Sequence, residues 1–305
     1  MVHVFIVNPF AGRKNFADNL REKLKNIDGI EYYIFISRYA GHETVLAREV
    51  REIFDEDKIR IYCCGGSGTL KNIISGIDNF DDIEIASFPC GMTNDFLKMF
   101  SEEKRFGNIE ELINGEIIDI DYIKATEGVA LNTFSLGLDT AMSSVMDELT
   151  PLQIISESLP YLLGVIYGII ISKPSKYIIE TEFGTFDTSV TEFFFGNGNV
   201  LGGSLRFFEN TYVSDGKANI RIIKTGRGVF CIPYLIACMK NDQKFLNEKS
   251  IHGMSSFVKI RSKNGKKFSV NFDGELNHDL SEWKAEIVKK GLHFVVPKGV
   301  RLKDE

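Results

Sequence analysis

The sequence predicts two domains: an α/β domain with a mostly parallel sheet over residues 1–120, then a β-rich, sandwich-like domain over 121–297. Two observations carry this. From residue 1 to about 120, short apolar runs alternate with stretches of helical period, the pattern of a parallel sheet covered on both faces. After about Gly115 the texture changes to short strand-like segments separated by turn residues. The tail, 298–305, is expected to return to the first domain.

The elements follow in order. Val2 to Val7 reads as a first strand rather than a secretory leader, because the apolar run is short and has no basic segment before it. Asn15 to Lys25 reads as a helix, Glu31 to Ile36 as a strand, and Glu43 to Phe54 as a helix after the Gly41-His42 turn. Ile59 to Cys64 is a third strand, Leu70 to Ile77 a helix, Ile83 to Phe88 a fourth strand and Asn94 to Phe100 a helix. In the second domain Glu116 to Asp121, Lys176 to Thr181, Thr191 to Phe195, Ala218 to Ile223, Ser256 to Arg261, Lys267 to Phe272 and Leu292 to Pro297 read as strands.

At 305 residues, 44% hydrophobic and 26% charged, the chain is long enough for two cores. A net charge of −6 argues against a general nucleic-acid binder, which needs a basic surface to neutralise phosphates. The five cysteines, Cys63, Cys64, Cys90, Cys231 and Cys238, show neither a disulfide framework nor paired metal-ligand spacing. They read as reduced thiols of a cytosolic protein.

Three loops between a strand and a helix are unusual, and in an open α/β sheet such loops line the ligand-binding edge. One is Cys63-Cys64-Gly65-Gly66-Ser67-Gly68-Thr69. Glycines there let backbone N–H groups approach an anion, and the following helix adds unpaired N–H groups and the positive end of its dipole. The loop therefore suits a nucleotide or other phosphorylated ligand, although it matches neither common phosphate-loop pattern. The others are Asn8-Pro9-Phe10-Ala11-Gly12 and Pro89-Cys90-Gly91-Met92-Thr93-Asn94-Asp95-Phe96. Asn8-Pro9 is also an ordinary turn opener, and one of Thr93, Asn94 and Asp95 could simply cap the next helix. Capping accounts for one of those three polar residues.

Together with Asn132 to Asp139, Gly196-Asn197-Gly198 with Gly202-Gly203, Asp215-Gly216 and Phe272-Asp273-Gly274-Glu275, this ordered series resembles the diacylglycerol kinase catalytic-domain family. The likeness is to its bacterial soluble lipid kinases, whose fold is related to those of NAD kinases and sphingosine kinases. It implies an ATP-dependent kinase whose active site lies in a cleft between the two domains. By resemblance the nucleotide lies over Gly65, Gly66, Ser67, Gly68 and Thr69, with Asn8, Gly91, Thr93 and Asn94 nearby. Glu275 is then the general base, taking the proton of a lipid hydroxyl that attacks the γ-phosphate. Asp95 belongs to the catalytic centre. The family implies Mg²⁺ as well, with Asp95 and Asp121 in its carboxylate network through waters, and Asp215 near a second, structural metal. A cap or turn role is the competing reading for each aspartate.

The chain departs from that pattern. Ser67 stands where the family has Asp, Asn72 where the following helix usually has Glu, and Met92 where a small hydroxyl residue is usual. The leading reading is an ATP-dependent lipid kinase acting on diacylglycerol or a related lipid alcohol. A nucleotide- or lipid-binding pseudokinase is the second reading, and an NAD kinase-like enzyme the third, disfavoured by the late Asp273-Gly274-Glu275.

The expected partner is a lipid at a membrane surface, met by transient peripheral contact of a cytoplasmic protein; a homodimer stays open. Two basic clusters, Lys259 to Lys267 and Lys289 to Lys303, are candidates for headgroup contact or simply a solvated hairpin and tail. Leu159 to Ile171, short of the roughly 20 residues that span a bilayer, reads as a buried helix or else as an acyl-pocket wall or interfacial element. Phe193-Phe194-Phe195 offers the same choice between acyl contact and core.

Overall fold

The computed structural model describes residues 1–11, 16–91, 94–148, 159–202, 204–209 and 211–303. Its first part runs β1 (Val2–Val7), α1 (Phe16–Lys25), β2 (Glu31–Ile36), α2 (His42–Ile53), β3 (Ile59–Gly65), α3 (Ser67–Ser75), β4 (Ile83–Pro89), α4 (Ile109–Ile113) and β5 (Glu116–Ala125). There follow β6 (Gly128–Ala130), β7 (Thr133–Gly137), α5 (Leu138–Glu148), α6 (Leu159–Ile171), β8 (Ser175–Thr181), β9 (Gly184–Val190) and β10 (Glu192–Gly196). Then come β11 (Val200–Leu201), β12 (Leu205–Arg206), β13 (Ala218–Ile223), α7 (Ile232–Lys240) and α8 (Gln243–Lys249). The chain closes with β14 (Ile251–Ser255), β15 (Phe257–Ser262), β16 (Phe268–Phe272), β17 (Glu275–Leu280) and β18 (Glu282–Val296).

The chain divides into a first unit, Met1–Asp121 with Lys289–Glu305, and a second, Tyr122–Val288. In the first, β2, β1, β3, β4 and the end of β18 lie side by side, all parallel. The apolar runs of β1 and β3 are buried at every position, as central strands covered on both faces require, whereas β2 at the edge is half exposed. The chain returns to this unit at Lys289 rather than after 297. The reason is the pairing of His293, Phe294 and Val295 with Glu84, Ile85 and Ala86 of β4, which makes the closing strand part of the parallel sheet.

In the second unit an antiparallel sheet runs β14-β13-β10-β7-β16-β17, and β9, β8, β15 and the start of β18 form a second antiparallel layer. Phe134, Phe193, Ile179, Ile260 and Trp283 come from both layers into one buried cluster, the core of a sandwich. The fold class is therefore the one the sequence predicts. Strand periodicity splits the Phe193-Phe194-Phe195 run: Phe193 and Phe195 enter the sandwich core, while Phe194 enters a second cluster with Leu205, Phe207 and Cys238.

Local differences are physically instructive. Expected to start at Leu70, α3 starts at Ser67, so Ser67 and Gly68 occupy its first turn. The helix expected over Asn94 to Phe100 is a short 3₁₀ turn, Phe96–Met99, held by Leu97 N–H to Asn94 and Lys98 N–H to Asp95. α6 is not a wholly buried helix, because Ile166, Tyr167, Ile170 and Ile171 are exposed.

Candidate functional site

The first unit brings all three strand-end loops together. Asn8, one residue past β1, donates from Nδ2 to Thr69 Oγ1 at 3.0 Å, and its own Oδ1 accepts the Phe10 N–H at 2.9 Å. Its backbone N–H donates to the Cys64 carbonyl on β3 at 3.0 Å. The third loop is tied on from the other side, since the Cys90 and Gly91 N–H groups both donate to the Gly65 carbonyl, at 3.0 and 3.1 Å. Asn94 Nδ2 returns to the Gly91 carbonyl at 3.0 Å, and the Asp95 N–H donates to Ser67 Oγ at 3.3 Å.

Glycine is required where these loops touch. A Cβ on Gly91 would lie 2.6 Å from Gly66 Cα and 2.8 Å from its N, and one on Gly65 would lie 2.3 Å from Thr69 Oγ1. At Gly68 the opposite holds: a Cβ would meet nothing within 4 Å. Gly68 therefore borders open space in the first turn of a nine-residue helix that no side chain caps. Such a turn presents N–H groups and the positive end of the helix dipole to whatever enters, the arrangement that holds phosphate. Beneath it, burial pushes the thiols of Cys63 and Cys64 well above their usual range, with neighbouring groups adding to this, so they pack as apolar residues rather than act as nucleophiles. All five cysteines are free.

Asp95 is buried, with Lys98 Nζ 3.6 Å from its Oδ1. Asp121 is wholly buried, and its Oδ1 accepts the Lys290 N–H at 2.7 Å, where Lys290 takes a φ of 49° in β18. Asp215 is exposed in a turn, accepting the Lys217 N–H at 2.9 Å beside Gly216 at φ 86°. Among the described residues no three His, Cys, Asp or Glu side chains gather as a metal group. The donor chemistry at Asp95 nonetheless fits magnesium, which keeps several waters and takes one or two carboxylates beside phosphate oxygens. Thr93, Met92, Gly12 and Gly203 lie outside the described residues.

Asn72 donates from Nδ2 to Glu43 Oε2 at 3.3 Å, and Glu43, on α2, is 2% exposed. Sequence reading passed over Glu43, because only the packing of α2 on α3 reveals which carboxylate faces position 72.

In the second unit Glu275 opens β17, exposed, directly after a two-residue turn. Asp273 and Gly274 both have positive φ, 46° and 98°, the signature of a type I′ hairpin. The Asp273 carboxylate accepts three backbone N–H groups, from Leu131 and Thr133 at 2.7 Å each and from Asn132 at 3.0 Å, which fixes the hairpin on the segment before β7. The Gly274 N–H donates to Asn271 Oδ1 at 2.8 Å, and Asn271 Nδ2 donates to Asp139 Oδ2 at 2.7 Å. Asp139 also accepts from Ser135 Oγ, and its N–H donates to Glu192 Oε2 at 2.9 Å. Burial lifts the Asp139 carboxyl above its ordinary range against the hydrogen bonds from Ser135 and Asn271. Burial, and then the Asp139 charge, lift Glu192 well above its own. Neither Asn271 nor Glu192 carried a sequence signal; strand register alone brings them to Asp139.

Residues 3–125 match the diacylglycerol kinase catalytic domain family. A diacylglycerol kinase of Staphylococcus carnosus is 21% identical over 97% of this chain and 95% of its own length. A Bacillus subtilis protein with the provisional name lipid kinase YtlR is 35% identical over 104 residues, 33% of either chain. A solved Bacillus anthracis diacylglycerol kinase structure shares the fold, with a TM-score of 0.66, 18% identity and 97% of both chains covered. No helix among the described residues is long and apolar enough to cross a membrane. Residues 3–125 thus match the diacylglycerol kinase catalytic domain, and the chain is similar along nearly its whole length to proteins named as lipid or diacylglycerol kinases.

Proposed function

We propose that the chain transfers the γ-phosphoryl group of ATP to the hydroxyl of diacylglycerol or a related lipid alcohol. One observation above all supports this: Asn8, the Gly65–Thr69 turn and the Gly91–Asp95 loop are hydrogen-bonded into one rim beside an uncapped helix start, with open space at Gly68. The backbone N–H groups of Gly68 and Thr69 hold the triphosphate, and Asn8 and Asn94 fix the loops that flank it. Asp95 is the residue that would hold Mg²⁺, which when bound offsets the charge of the phosphates. Glu275 takes the proton of the lipid hydroxyl as it attacks, and the Asp273 turn with the Asn271 amide holds that hairpin in shape.

A second reading, nucleotide binding without transfer, draws support from Ser67, whose hydroxyl is occupied by the Asp95 N–H and brings no charge, and from Lys98 beside the Asp95 carboxylate. Transfer of labelled γ-phosphate from Mg–ATP to a mixed lipid extract separates the two. Labelled lipid that disappears with Glu275→Ala supports the kinase; nucleotide binding without labelled lipid supports the second reading.

A further inference from the structure

Nine of the eighteen large hydrophobic side chains exposed among the described residues fall on two adjoining pieces of the second unit. They lie on the second half of α6, on the 3₁₀ turn Gly228–Cys231 and on α7, with Ile170 71%, Phe230 60% and Met239 68% exposed. The two pieces are in contact. The Gly228 N–H donates to the Ser172 carbonyl at 3.0 Å, and a Cβ on Gly228 would lie 2.3 Å from the Ile169 carbonyl oxygen, so the turn sits against the end of α6. On α7 the exposed Ile232, Ile236 and Met239 recur at helical spacing, which makes them one stripe. A soluble helix would ordinarily bury such a stripe or leave it polar.

Charge and the other face of α7 argue for what covers it. Lys173, Lys224, Arg227 and Lys240 are exposed around these segments, and none forms an ion pair among the described residues. The hairpin cluster that the sequence suggested behaves differently: Lys259 pairs with Glu282, Arg261 with Glu180 and Lys263 with Asp187. Behind the stripe, Cys231, Tyr234 and Leu235 wall a small, mainly apolar cavity that reaches Phe194 and Glu192. Glu192 is 3% exposed, and its Oε1 has no hydrogen-bond partner.

We infer that the α6–α7 face of the second unit seats on an anionic lipid bilayer. Its apolar side chains enter the headgroup boundary while the four cations meet anionic headgroups, the balance of an interfacial helix. The choice of a bilayer over a protein partner rests on the lipid kinase reading.

The test is sedimentation of the full chain with phosphatidylcholine vesicles, with and without phosphatidylglycerol. A Phe230→Ser/Met239→Ser variant is expected to bind at least roughly tenfold more weakly. Lys224→Glu/Arg227→Glu is expected to lose about fivefold per charge removed on anionic vesicles, with little change on neutral ones. Circular dichroism spectra like that of the parent protein exclude misfolding as the cause. Undiminished binding by the apolar variant, an equal loss from Lys266→Glu/Lys267→Glu, or no vesicle binding by the parent chain would each overturn the inference. So would a concentration-dependent dimer abolished by the Phe230 variant, since the occupant is then a second copy. Transfer to detergent-dispersed diacylglycerol is read separately: transfer without vesicle binding removes this surface alone, and vesicle binding without transfer removes the kinase reading alone.

Discussion

Gly68→Ala separates a glycine kept for folding from one kept for a ligand. Gly68 lies in the first turn of α3, outside the positive-φ region, and its new methyl would meet nothing within 4 Å. In the absence of ligand the change removes backbone entropy from the unfolded chain and favours the helix, so stability rises by about 0.5–1 kcal/mol. The thermal midpoint then rises by about 1–4 °C. On the proposed function, the same methyl stands where a phosphate of the bound nucleotide would approach the N–H groups. Losing one charge-assisted hydrogen bond of about 1.5–3 kcal/mol weakens ATP by roughly 10- to 100-fold. Thermal denaturation without nucleotide and calorimetric titration with ATP read the two effects independently. An affinity unchanged within about twofold would refute phosphate approach at this turn, whatever the midpoint does. Gly91→Ala is the contrasting case: its methyl would strike the Gly66 backbone at 2.6 Å, so stability itself falls, by about 1–3 kcal/mol.

The remaining outcomes are these. Asp273→Ala strands the N–H groups of Leu131, Asn132 and Thr133, and about 3 kcal/mol is expected to vanish in urea denaturation; a loss below about 1 kcal/mol would show that water replaces the carboxylate. For Glu192 the folded pKa is raised, so its contribution is most favourable below the ordinary carboxylate range and declines as pH rises toward the folded value. Glu192→Gln mimics the protonated form, so its stability relative to the parent is expected to improve from acid to neutral pH; a difference independent of pH would contradict this. Ser67→Asp is expected to raise the rate of γ-phosphoryl transfer at fixed Mg²⁺ if a missing carboxylate limits it, and an unchanged rate would show that Ser67 is sufficient.

Much of the first unit was legible because each of its signals is local. Central strands are continuous apolar runs, and the glycines of Gly65 to Thr69 sit where strand gives way to helix. What stayed hidden depends on register and on packing between elements. Nothing in the sequence pairs Asn271 with Asp139, 132 residues away; that contact exists because β16 lies beside β7, opposite Ser135. The return of Lys289 to Val296 was equally invisible, since a closing apolar strand reads the same whichever sheet it joins. For Leu159 to Ile171, apolar composition alone does not say which face is covered. Its small residues Gly164 and Gly168 turn inward, and large ones such as Ile170 are left outside.

The two neutral replacements at the expected nucleotide site have different physical standing. Glu43 is 2% exposed and lies 3.3 Å from the Asn72 amide. A glutamate at 72 would set two carboxylates against each other in a place with little water, a repulsion that costs several-fold more than it does at the surface. The amide at 72 instead donates to Glu43, so the carboxyl group at that place comes from α2 rather than α3. Position 67 is half-buried rather than enclosed, and Lys98 stands 3.6 Å from the carboxylate of the neighbouring Asp95. Ser67 Oγ accepts the Asp95 N–H at 3.3 Å, and an aspartate there could accept the same donor while gaining from the positive end of α3. The Glu43 contact therefore explains Asn72, and it does not explain Ser67. If the chain transfers phosphate slowly or not at all, the cause is to be sought at Ser67. Asn72→Glu would disturb the α2–α3 packing and confuse the answer, while Ser67→Asp changes the charge at the start of α3, where the proposed function puts the phosphates.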